Sequence, residues 1–312
     1  MGNAIRKHKK PSSRQLPSSP ISYCYINNRK FFNDKEVIWP NPIDDVETDR
    51  LVMEHYVIRH SWQGKNFISP IERELISGAD VVDIGCGPGT WVLEVSTEYP
   101  CSTITGIDFS TLFPTEIKPT NAKFFEHNIK TGFPFDSESI DFAHQRLIGC
   151  GILAQDWEKP MITEYARILK IGGWLEILEG SNLVNPGPNT ECLFNALLSY
   201  YESIGVDVKI TQKLERYLAS NEYFTNVHHE LQIIPIGTWA GRVGELTADN
   251  FLSLFDALSS WLLVSLNITL EEFKCLMRKF EEEDIICKEF EARKSHNDDE
   301  YAKHRVFDSY NQ

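Results

Sequence analysis

The stretch Val81-Val82-Asp83-Ile84-Gly85-Cys86-Gly87-Pro88-Gly89-Thr90-Trp91 (VVDIGCGPGTW) decides how the rest of the chain is read. An apolar run closes on an acid, three glycines alternate with other residues, and helix-compatible sequence follows. That order is strand, tight loop and helix start. Loops of this kind hold nucleotide-like ligands in more than one way. A phosphate-cradling P-loop needs Gly-Lys-Ser or Gly-Lys-Thr at its end, and Gly89-Thr90 lacks the lysine. A dinucleotide loop has the spacing GxGxxG, whereas Gly85, Gly87 and Gly89 give GxGxG, one residue short. The third reading is an adenosyl ligand without pyrophosphate, which the backbone of Gly85 and Gly87 would approach closely. The next predicted strand reaches Asp108, 19 residues after Gly89, where an acid can accept both hydroxyls of a ribose.

Outward from the loop, strands are predicted near 80–84, 103–108, 122–126, 139–144 and 173–179, with helices near 90–99 and 157–170. This alternation argues for an α/β fold with a parallel sheet and helices on both faces. Upstream, Thr48 is positioned to cap a helix in which Leu51, His55, Ile58 and Trp62 fall on one face. Downstream, Thr190–Ser203 reads as a helix, Val227–Pro235 as a strand, Leu246–Phe290 as strongly helical and Tyr301–Tyr310 as a final strand. We expect residues 1–47 to be a flexible basic tail and 48–312 one domain, with its core at 48–180 and a helical cap with the last strands at 181–312.

Charge is unevenly placed along the 312 residues. Residues 1–30 hold seven Lys or Arg and no acid, while the remainder holds 24 basic against 45 acidic residues. A body so acidic repels polyanions, which argues against nucleic acid as a direct substrate. Met1-Gly2-Asn3 with the basic cluster raises N-myristoylation, so the tail is where any membrane contact is expected, although Arg6 stands where that motif has Ser or Thr. Seven scattered cysteines form no CxxC pair, and no apolar segment follows the basic start as in a signal peptide. Reduced thiols in the cytoplasm, or the nucleus, are the expectation. His228-His229-Glu230 alternates across a predicted strand without a third ligand, so no metal is expected.

VVDIGCGPGTW, GIDFS, FFEHNI, IDFAHQRL and LKIGGWLEILE stand in an order and spacing that resembles the class I S-adenosylmethionine-dependent methyltransferases. The resemblance covers roughly 48–180. HYVIRHSWQGKNFISP, FPTEIKP and DFAHQRL are similar to the fungal LaeA-like group. It implies a Rossmann-like seven-stranded, mostly parallel sheet with its last strand antiparallel, and S-adenosyl-L-methionine as cofactor. It also implies roles: Gly85, Gly87 and Gly89 along the methionine and ribose, with Cys86 in the same loop; Asp83 orienting the loop or amino group; Asp108 on the ribose; Phe109 beside the adenine; Asn128 and Ile129 at the adenine edge. Gln145, with His144, would lie at the methionine end, Tyr56 would close the pocket, and Thr90 would begin a helix whose amino end favours the carboxylate.

Methyl transfer from a sulfonium is a direct displacement, so the chain mainly aligns the reactants and needs a base only for a protonated acceptor. His144 is the candidate catalytic base, with His60 and Glu179 as others. Arg59, His60, Arg146 and Glu179 are the candidate acceptor-binding residues. The acceptor is expected to be a small molecule or a protein, methylated on O, N or C. A cofactor-binding regulator acting through a partner protein is the alternative.

Overall fold

The computed structural model describes residues 22–33, 37–283 and 286–297. Order begins before Thr48. β1 (Tyr23–Ile26) and β2 (Arg29–Phe32) form an antiparallel hairpin turned by Asn27 and Asn28 at φ 51° and 62°, a conformation asparagine tolerates. Phe31 is buried and meets Trp261 edge-on at 5.1 Å. The expectation of a tail through residue 47 is therefore corrected. Its polar composition hid the hairpin because the partners that bury Phe31 lie in a distant part of the chain. Gly2 and the basic cluster up to Arg14 lie outside the described residues.

The first long helix, α1 (Asp45–Ser61), is capped not by Thr48 but by Asp44, whose side chain accepts from the Glu47 amide and is fixed by Arg29 at 2.7 Å. Such a cap contributes about 1 kcal/mol. The predicted stripe does face inward: His55, Ile58 and Trp62 are buried. A short α2 (Glu72–Ser77) then leads into the sheet.

β3 (Asp80–Ile84) carries the quoted stretch and is buried from Val81 onward. After α3 (Thr90–Glu98) come β4 (Thr103–Asp108), β5 (Ala122–Glu126) and β6 (Ile140–Arg146). Residues 154–168 coil as α4 (Ala154–Asp156), a π-helical turn (Trp157–Met161) containing Pro160, and α5 (Ile162–Ile168). β7 (Leu169–Val184) is far longer than the predicted 173–179. Two helices, α6 (Pro188–Ser203) and α7 (Thr211–Ala219), precede β8 (Phe224–Ile236). Three more, α8 (Gly241–Ala257), α9 (Ser259–Leu266) and α10 (Leu270–Glu281), precede β9 (Ile286–Asn297). The cap thus enters on both sides of β8, and Leu193, Phe255, Leu258, Phe273 and Phe280 share its core.

The seven-stranded sheet has the order β5-β4-β3-β6-β7-β9-β8. β3 to β7 pair in parallel, and β9 runs antiparallel between β7 and β8. The helical reading of Leu246–Phe290 overran into β9. Pairing on both edges outweighs the local helical pattern there, and the strand expected at Tyr301–Tyr310 lies outside the described residues. From β3 the chain winds outward to β5, then returns to lay β6 on the other side, and ligands bind at the carboxyl ends of such a switch point. No helix among the described residues is long and apolar enough to cross a membrane.

Candidate functional site

Three adjoining cavities open at those strand ends. The first, at the glycine loop, is lined by Asp83, Gly85, Cys86, Gly87, Thr90, Asp108, Phe109, His144 and Arg146, with Leu51, Glu54 and His55 from α1. A side cleft adds His127, Asn128, Ile129 and Lys130 beside Asp108 and Phe109. The third and larger cavity, with a volume of about 170 Å³, lies between β7, β9 and the cap helices α6 and α8. Trp39 lines all three.

The loop has its shape for reasons visible in the backbone. The amides of Gly85 and Cys86 both donate to the Ile107 carbonyl, at 2.8 and 3.1 Å, which pins the turn to β4. Gly85 has φ 73°, and a Cβ there would lie 2.4 Å from Ile148, so only glycine fits. Gly89 also needs glycine, for a different reason. At φ 77° it begins α3, and a Cβ would meet the Phe124 ring at 2.6 Å. It packs against the sheet and does not line the cavity, which corrects its expected contact with the ligand.

Asp108 is buried, and its carboxylate is tied down on both oxygens. Oδ2 accepts from the Gly87 amide at 2.8 Å, and Oδ1 from the Ser110 amide and hydroxyl at 2.8 and 2.7 Å. Burial pushes its pKa above the ordinary carboxylate range, against the pull of those donors. Asp83 pairs with its register neighbour: it faces His144 across β3 and β6, and Nδ1 of the imidazole donates to Oδ1 at 2.7 Å. The ring is further held by stacking on Trp91, with centroids 4.0 Å apart. His144 lines the loop cavity and not the large one, so the structure places it as a support for Asp83 rather than as a base.

Gln145 is corrected outright. Side chains alternate across a strand, so the neighbour of His144 faces the opposite side of the sheet. There it is fully buried, accepting from the Tyr165 hydroxyl and donating to Glu179 at 3.4 Å. Helix phase corrects Tyr56 and Arg59 in the same way. Tyr56 is 50% exposed, and Arg59 turns outward to Glu94 and the Gly64 carbonyl. His60 is exposed and lines none of the cavities. The positions one helical turn apart that do face inward are Leu51 and His55, already on the predicted stripe.

Arg146, a candidate acceptor-binding residue, lines the loop cavity and not the large one. Its Nη2 donates to Nδ1 of His55 at 2.7 Å, and Nε2 of His55 lies 2.9 Å from Glu94. Burial and the adjacent guanidinium pull the His55 pKa down to about 4, so the imidazole is neutral and carries its proton toward Glu94. Among the described residues no carboxylate pairs with Arg146, which leaves its positive charge in the loop cavity. Cys86 is buried, and Asp108 and Asp83 add to desolvation in pushing its thiol well above the ordinary range, so it is inert packing. Asn128 lines the side cleft while its side chain accepts from the Lys130 amide.

Glu179 stands at the wall of the large cavity, buried. Its Oε1 accepts from the amides of Ile148 and Gly149 at 3.2 and 3.0 Å and from Gln145, and burial still raises its pKa to about 8. Its other oxygen has no hydrogen-bond partner among the described residues. Between the two cavities sits Leu147, which lines both and adopts φ 53°, a left-handed conformation costing roughly 1–2 kcal/mol for a residue with a side chain. No sequence signal marked Leu147, Trp39 or Lys288, all of which line these cavities.

The chain is similar to several known proteins. Residues 81–173 match the methyltransferase domain family. The chain is 27% identical to methyltransferase pytC of Aspergillus terreus over 87% of this chain and 86% of that one. It is also 27% identical to the secondary metabolism regulator laeA of Monascus pilosus, over 73% of this chain and 62% of that protein. Phosphoethanolamine N-methyltransferase 2 of Haemonchus contortus, in complex with S-adenosyl-L-methionine, aligns with a TM-score of 0.47 at 15% identity, over 86% of this chain and 62% of that one. With its domain match, its relatives and its sheet order, the chain carries a methyltransferase domain at residues 81–173 and is similar to fungal S-adenosylmethionine-dependent methyltransferases and LaeA-like regulators.

Proposed function

We propose that the chain methylates a protic oxygen or nitrogen of a small, largely apolar acceptor that enters the large cavity. The observation carrying this reading is the shared wall. Trp39, Leu51, Glu54 and Leu147 line both the loop cavity and the large one, so a molecule in the second abuts a ligand in the first. A mostly apolar pocket with a few polar groups suits a small molecule. We infer a cytoplasmic site of action, with the nucleus as the other option, from the cysteine usage.

The residues present fit an adenosyl amino acid. Asp108 would accept the ribose hydroxyls with the lone pairs that Gly87 and Ser110 leave. Phe109, Ile129 and Trp39 would enclose the adenine, with Asn128 at its edge. Arg146, steadied by His55, would meet the methionine carboxylate beside Thr90 and the amino end of α3, and Asp83, steadied by His144, the amino group. Bound S-adenosylmethionine supplies a methyl on a sulfonium, an electrophile whose leaving group needs no help from the chain. The chain's own part is to align the acceptor and remove its proton. Glu179 is the residue for the second task, because it lines the large cavity and only its Oε1 is committed to Gln145 and to the Ile148 and Gly149 amides. The proton released as the new bond to carbon forms would pass to its other oxygen.

Trp39→Ala is expected to weaken S-adenosylhomocysteine binding about 10-fold, the loss of one aromatic face worth roughly 1.4 kcal/mol. Calorimetry would measure it, and an unchanged affinity would remove residues 37–43 from the cofactor wall. The reading as a whole is tested by incubating the protein with methyl-labelled cofactor and fungal extract. Label in an organic-soluble small molecule supports it, and label in protein refutes the small acceptor. Cofactor binding without any transfer would favour the regulatory role that the name of the laeA relative carries.

A further inference from the structure

Lys288 lines the large cavity, whose other cation, Arg50, already has its partners. Phe194, Leu197, Leu198, Phe251, Leu254 and Phe290 supply apolar surface to that lining. The ammonium lies 5.5 Å from the Phe194 ring centroid and donates to the Ser181 carbonyl. Among the described residues no carboxylate forms an ion pair with it. A half-buried lysine with only a carbonyl for a partner leaves its charge without a counter-ion. The other charged groups of the cavity are already used or lie elsewhere. Arg50 is held by Glu47, Glu54 and Asn250, and Asp207 by Lys213 at 2.6 Å. Glu289, the next residue on β9, bonds to Asn182 at 3.1 Å.

Register fixes where Lys288 stands relative to Glu179. Lys288 pairs with Leu183 on β7, whereas Glu179 pairs with Glu291. Four residues of strand separate Glu179 from Leu183, roughly 10 Å along the sheet with the intervening irregularity. Glu179 thus stands beside Ile148 and Gly149, and Lys288 lines the same cavity further along the strands.

We propose that the acceptor carries a singly charged anionic group, a carboxylate, which Lys288 binds while the atom to be methylated lies at Glu179. This rests on the large cavity being the acceptor site. A phosphate or diphosphate fits less well, because one lysine faces it and Glu54 and Asp207 would repel a second charge.

The test uses a matched pair of dyes on the full chain. 1-Anilinonaphthalene-8-sulfonate is an apolar monoanion, and N-phenyl-1-naphthylamine is the same ring system without the charge. Lys288→Met is expected to weaken the anionic dye about 10-fold or more while leaving the neutral one within about 2-fold, and Lys288→Arg to restore the anionic dye. Burial draws the Lys288 pKa down to about 8, with Glu289 opposing. The ammonium is thus lost as pH rises through that value, and anionic-dye affinity should fall between pH 7 and 9 in the native protein but not in Lys288→Arg. S-adenosylhomocysteine binding retained in each variant reports the fold. Anionic-dye affinity unchanged in Lys288→Met would overturn the anion site. The acceptor reading fails by a separate sign, methyl transfer that survives a Leu198→Trp plug of the same cavity.

Discussion

Asp108→Ala is expected to weaken S-adenosylhomocysteine binding by at least about 100-fold. Two hydroxyl-to-carboxylate hydrogen bonds are lost, each worth roughly 1.5–3 kcal/mol, and 1.4 kcal/mol is a factor of ten. The position matters doubly, because Oδ2 also fixes the Gly87 amide at 2.8 Å and Oδ1 holds Ser110. Alanine therefore removes a ligand contact and frees the loop that supports it. Asp108→Asn separates the two effects. It keeps an acceptor oxygen for the loop but loses the charge, so about 10-fold is expected. Titration calorimetry reads both, and an affinity within 2-fold of the native protein in Asp108→Ala would take the ribose away from this residue.

Glu179→Gln is expected to lower the turnover of a protic acceptor by about 100-fold or more, the usual contribution of a positioned base. Cofactor affinity should not change, because Glu179 lines only the large cavity. The pH profile carries the sharper signature. With a pKa of about 8, the carboxylate is largely protonated at neutral pH, so the rate of the native enzyme should climb with pH and level off above that value. Glu179→Gln should lose this limb. Stability must move in the opposite sense. A carboxyl whose folded pKa is raised above its unfolded value adds stability below the unfolded pKa, and that contribution disappears as pH rises through about 8. The variant should therefore gain in melting temperature relative to the native chain toward pH 9. A parallel, pH-independent loss of rate would make Glu179 a packing residue.

Much of the cofactor end was legible because it is written locally. The apolar run at Val81–Ile84, Gly85, Gly87 and Asp108 closing the next strand are neighbours in sequence or one βα unit apart, and they line one cavity or support it, whereas Gly89 packs against the sheet. What failed did so by phase or by distance. Gln145 and Tyr56 sit next to residues that do face the cavities, one position out of step with the strand and helix periods. The period-two rule alone, applied after His144 was placed, would have turned Gln145 away. Arg146 met His55 from α1, and Phe31 met Trp261 from the cap, pairings no local pattern encodes. Lys288 looked like one more charge in a long helical run, because the strand that carries it exists only through β7 and β8 on its two sides.

The account depends most on the large cavity being where the acceptor sits. Leu198 is a half-buried residue on the cavity face of α6, so tryptophan there can fill the space without rebuilding the core. The decisive measurement is methyl transfer by Leu198→Trp beside its binding of S-adenosylhomocysteine. We expect cofactor affinity within about 2-fold of the native protein and transfer reduced by about 100-fold or more. Transfer at the native rate with the cavity plugged would contradict the account and send the acceptor elsewhere.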